Sequence, residues 1–93
     1  MAQLNKGTYY QNEVFEPVEV IVHFDKLNAN ILRFKWNEKT YKVSRTPAKW
    51  VIPCKDGKRT HFNVIIDECN MIAELSFDHQ DLKWELIQYD TFN

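Results

Sequence analysis

The stretch THFNVIIDECNMIAELSF, residues 60–77, decides the fold. Phe62, Val64 and Ile66 recur at every second position, as do Met71, Ala73, Leu75 and Phe77, which is the period of a half-buried strand. Folding the stretch about Glu68 and Cys69 into an antiparallel hairpin sets Phe62 against Leu75, Val64 against Ala73 and Ile66 against Met71. One register therefore satisfies three successive rungs, and a slip of one residue would turn every apolar side chain to the wrong face.

The same alternation extends in both directions. Leu82, Trp84 and Leu86 are predicted to pair with Phe77, Leu75 and Ala73 across a four-residue loop, Asp78 to Asp81. Upstream, Leu32, Phe34 and Trp36 precede Asn37-Glu38, which as a two-residue turn sets Phe34 against Tyr41, Leu32 against Val43, Arg33 against Lys42 and Lys35 against Thr40. Val18, Val20, Val22 and Phe24 alternate in a further segment. Between Pro47 and Pro53 a strand of four or five residues is expected at a sheet edge, where proline is tolerated. Asp56-Gly57 marks the next turn.

These segments predict an all-β protein, a single antiparallel meander of six to seven strands curled into a small barrel or sandwich. The domain is expected over residues 17–93, behind a partly flexible arm of residues 1–16. The predicted core is Val20, Val22, Phe24, Leu32, Phe34, Trp36, Tyr41, Val43, Phe62, Val64, Ile66, Ala73, Leu75, Trp84 and Leu86. A hydrophobic content of 44% with 14% aromatic residues suits one folded domain of this length and excludes intrinsic disorder.

The net charge of −1 argues against a chain that coats polyanions by bulk attraction, yet the charges are segregated. Residues 33–59 carry nine cations and two acids, whereas residues 60–93 carry seven acids and one cation. Arg33 and Lys42, predicted directly opposite each other on an outer sheet face, repel, so an anionic neighbour or partner is expected there. The candidate polyanion or partner surface is Arg33, Lys35, Lys42, Arg45, Lys49 and Trp50.

Catalytic and metal signatures are absent from the sequence. His23 and His61 fall at outward strand positions and His79 in a turn, without metal-ligand spacing, and read as surface imidazoles. Cys54 and Cys69 read as reduced thiols, and no apolar segment suits a secretory leader or a membrane span, so a cytoplasmic location is expected. No cofactor, no catalytic residue and no enzymatic activity are expected.

A longer pattern joins R-F-K-W (33–36), Y-K-V-S-R (41–45), Trp50, H-F-N-V (61–64), A-E-L (73–75) and K-W-E-L-I-Q-Y-D (83–90). It resembles a small bacterial domain family of unknown function, related to the C-terminal module of catalytically dead Y-family DNA polymerase homologues. This chain departs from that pattern at Asn37-Glu38, where the family has glycine or small residues, and carries no polymerase-like portion. The resemblance implies an accessory or adaptor domain, with a link to DNA-damage tolerance. Two functions follow as expectations: a protein-interaction or adaptor module, and alternatively a weak single-stranded nucleic-acid binder. Exposed strand edges also admit a homodimer.

Overall fold

A computed structural model describes residues 11–26 and 28–92. Its strands are β1 (Asn12–Pro17), β2 (Glu19–Asp25), β3 (Asn28–Trp36), β4 (Lys39–Lys42), β5 (Arg45–Cys54), β6 (Gly57–Ile66), β7 (Met71–Asp78) and β8 (Lys83–Thr91), with a 3-10 turn at Asp67–Cys69. They form a five-stranded sheet in the order β1-β8-β7-β6-β5 and a three-stranded sheet in the order β2-β3-β4, antiparallel throughout.

The protein is thus all-β, as the alternation predicts, and its form is a two-sheet sandwich. The chain passes between sheets at two corners. Val18 N donates to Trp84 O (3.2 Å) between β1 and β2; Val43 N donates to Leu32 O (2.9 Å) and Ser44 N to Ile65 O (2.7 Å) between β4 and β5. Strands that change sheets in this way make the corners of a sandwich. The hydrogen-bond ladder is not continuous around the molecule, so the barrel is not closed.

The deciding hairpin forms as read: Phe62 pairs with Leu75, Val64 with Ala73 and Ile66 with Met71. So does the β3–β4 pairing of Phe34 with Tyr41 and Arg33 with Lys42, around a turn whose Asn37 and Glu38 both have positive φ (55° and 65°). Positive φ at both central positions is what a tight hairpin turn with the strands' own twist requires.

Several sequence expectations are corrected. The β7–β8 hairpin pairs Phe77 with Trp84 and Leu75 with Leu86, two residues away from the predicted register, and its loop is His79 to Leu82. Asp78 anchors that loop, its Oδ1 accepting from the backbone N–H of Gln80 (2.8 Å) and Asp81 (3.3 Å) while Leu82 takes φ 56°. A two-residue shift keeps every side chain on its face, so alternation alone does not exclude it. Secondly, β5 is ten residues long rather than four or five, its Thr46 and Pro47 falling in a register shift between Arg45 and Ala48. Edge position accommodates both prolines.

Thirdly, a bulge between Ile21 and Val22 pairs Val22 with Ile31 and leaves Leu32 without a partner on β2. The extra residue reverses the alternation of β3, so Ile31 is buried (5% exposed) and Leu32 lies outside (41%). Phe24, assigned to the core by its spacing, is 74% exposed. Fourthly, His61 does occupy an outward position but is buried, under Trp50. Of the expected arm, residues 12–16 belong to β1, paired along β8, and residues 1–10 lie outside the described residues.

The core is a slab between the two inner faces. Ile31 and Phe34 from the smaller sheet meet Phe62, Val64, Ile66, Met71, Ala73, Leu75 and Leu86 from the larger one. At one end Trp36, Tyr41 and Tyr89 close the slab, with Trp36 Nε1 donating to Glu16 Oε1 (2.9 Å). Burial, then the neighbouring Cys69 and Tyr89, raises the Tyr41 hydroxyl above its usual 10.0. At the other end Phe62, Phe77 and Trp84 cluster, with ring centroids 4.9 and 5.5 Å apart.

Candidate interaction surface

The outer face of the three-stranded sheet collects half of the predicted surface residues. On β3, Arg33 and Lys35 point away from the slab, and Lys42 of β4 stands directly opposite Arg33. Across the other edge Ile21 pairs with Arg33 and Glu19 with Lys35. Ile21 is 51% exposed, and the bulge adds Leu32 beside it. Neither Arg33, Lys35 nor Lys42 makes an ion pair with a described acid, Glu19 included. The result is an exposed apolar pair beside three cations that make no ion pair with a described acid.

The other three residues lie elsewhere, because the corner at Val43 and Ser44 moves the chain into the other sheet. Arg45 reaches Asp67 (3.4 Å), a pair with both side chains 60% exposed and hence worth little. Lys49 sits opposite Phe62 on the inner face of β5. Trp50 lies on the outer face of the five-stranded sheet, stacked on His61 with centroids 5.6 Å apart. The six residues therefore do not form one surface. The three-stranded outer face, from Glu19 through Lys42, presents no Phe, Tyr or Trp among the described residues.

Beneath Trp50 the larger sheet holds a buried polar chain. His61 Nδ1 lies 2.6 Å from Glu74 Oε2, and Gln88 Nε2 donates to Glu74 Oε1 at 2.8 Å. Ser76, opposite His61 in the ladder, is 1% exposed and its hydroxyl has no hydrogen-bond partner among the described residues. A carboxylate holding an imidazole is a catalytic arrangement only when the imidazole reaches a nucleophile. Here the hydroxyl across the ladder, that of Ser76, is buried and has no hydrogen bond to the His61 ring. The register already implies this contact, since Glu74 is the diagonal neighbour of His61 once Phe62 faces Leu75.

Further along the same face Arg59 bridges Asp78 and Glu85, each at 3.6 Å. The N–H groups of Gln80 and Asp81, and then the nearby Arg59 charge, hold the Asp78 carboxyl below its ordinary 3.8. Cys54 and Cys69 are free and exposed. Among the described residues no cluster of His, Cys, Asp and Glu has the makings of a metal site, and no helix is long and apolar enough to cross a membrane.

Comparison with protein-family models, with curated proteins and with solved structures gave no match.

Proposed function

We propose that the chain is a non-catalytic interaction module that docks an acidic protein surface on the outer face of β2, β3 and β4. The observation that supports this reading is the set of Arg33, Lys35 and Lys42, without ion pairs to any described residue, around exposed Ile21 and Leu32. Like charges directly opposite in a ladder cost stability, and an acidic partner would remove that cost on binding. Apolar residues ringed by charge are also the usual anatomy of an interface, with the contact in the centre and the charges steering approach.

The alternative, a single-stranded nucleic-acid binder in DNA-damage tolerance, draws on the same cations and on the resemblance to the polymerase-linked module. It needs aromatic platforms for the bases, and Trp50 lies on the other sheet with its ring against His61. The acidic-protein reading is therefore the better supported.

Amide NMR titration separates the two. A peptide of alternating glutamate and leucine should shift the amides of Ile21, Leu32, Arg33, Lys35 and Lys42, and Arg33→Glu should abolish those shifts while leaving the fold intact. A single-stranded oligonucleotide that shifts them instead, with affinity falling steeply between ~50 and ~200 mM salt, would favour the nucleic-acid reading. No response of this face to either probe would remove both.

A further inference from the structure

The two sheets part at the end of the slab where Phe62, Phe77 and Trp84 cluster, and the gap between them is a cleft of about 370 Å³. Phe24 and Ile31 form one wall, Val51 and Phe62 the other, and the Phe77–Trp84 pair the floor. Ala29, paired with Phe24, leaves room that a larger residue would fill. The volume is at the low end of the roughly 300 to 1,000 Å³ of small-molecule sites, which are concave, mainly apolar and common in the mouths of β folds.

Apart from the indole N–H of Trp84, three lining residues carry polar side-chain groups. Two satisfy each other: Thr60 Oγ1 and His79 Nε2 share a hydrogen bond of 2.7 Å, and His79 also meets the Phe77 ring edge-on. The third is Lys49, inward on β5 and without an ion pair to any described residue. Among the described residues no Asp or Glu lines the cleft. An apolar trough with one unpartnered cation and no acid is complementary to a molecule with an apolar tail and one negative end.

We infer that the cleft between the sheets binds a single-chain anionic amphiphile, an unbranched alkyl carboxylate, with the tail over Phe77 and Trp84 and the carboxylate on Lys49. The site uses the inner faces of both sheets and none of the residues on the proposed protein-docking face, so the two stand or fall separately. Lys49 on an edge strand would otherwise serve to keep other strands away, its stem lying along apolar surface and its ammonium in water. The two roles differ in what they predict for ligands.

The test is an NMR titration of the full chain with a series of saturated fatty acids, read at the Trp84 indole and at the amides of Phe24, Lys49 and His79. Affinity should rise about fourfold per added methylene until the cleft is full, then level off. An alkyl trimethylammonium with the same tail should bind about tenfold more weakly, and Lys49→Met, which keeps the apolar stem, should erase that difference. The inference is overturned if carboxylate and trimethylammonium bind equally, which would mark a purely apolar interface for a protein segment. It is overturned equally if these signals stay unshifted up to the micelle concentration. Shifts that track protein concentration without any additive would assign the cleft to a second copy of the chain, and would also overturn it.

Discussion

Ile31→Ala and Leu32→Ala, made separately, test the bulge that sets the face of β3. Each change removes three carbon groups, a transfer cost of about 2.4 kcal/mol when the side chain is fully buried. Ile31 is 5% exposed and loses nearly all of that, with a modest cavity term added because the site borders an open cleft, so about 2.5 to 3 kcal/mol is expected. Leu32, 41% exposed, loses roughly half the transfer term, about 1 kcal/mol. Urea unfolding at constant m should therefore move the midpoint two to three times further for Ile31→Ala than for Leu32→Ala. Strict alternation along Leu32, Phe34 and Trp36 predicts the reverse order. Equal costs, or a larger one at Leu32, would refute the bulge and with it the placement of Leu32 on the docking face.

Three further outcomes follow from the polar contacts. Glu74→Ala leaves buried His61 and Gln88 facing an empty position and should cost about 2 to 4 kcal/mol in thermal unfolding, whereas Arg45→Ala, breaking the exposed pair with Asp67, should cost under about 1 kcal/mol. Asp78 has a carboxyl held below its ordinary 3.8, so its contribution is complete above that value and is lost as pH falls through the depressed one. Asp78→Asn should therefore make urea stability less sensitive to acid between about pH 5 and about pH 2, and an unchanged acid response would dismiss Asp78 as a source of it.

Strand identity and two of the hairpins were legible because both faces of each pair obey one register, as at Phe62, Val64 and Ile66. What failed did so for definite reasons. A two-residue slip in β7–β8 preserves faces and so hides from any reading of periodicity, while the bulge at Leu32 changes faces without a glycine or proline to announce it. Of the candidate surface, Arg33, Lys35 and Lys42 were legible together since they lie within one hairpin. Arg45, Lys49 and Trp50 were grouped with them by proximity in sequence, and the corner at Val43 and Ser44, which separates them, is a tertiary event. The cleft was invisible for the same reason: its walls come from strands far apart in the chain, and Phe24 reads as a core residue wherever its spacing is considered alone.

Among the described strands β1 pairs with β8 alone, and Asn12 hydrogen-bonds Tyr89 across a separation of 77 residues. Of the described strands β1 is synthesised first and its partner last, so it has no ladder to join until the strands between them have been made. The hairpins of β3–β4 and β6–β7 close over short loops and need not wait. Docking β1 is then a late, non-local event with a large loop already to be closed, the kind of step that makes β proteins slow to reach the native state. Until it happens, β8 is itself an open edge, and the nascent chain is at its most vulnerable to pairing with a neighbour just as translation of β8 ends.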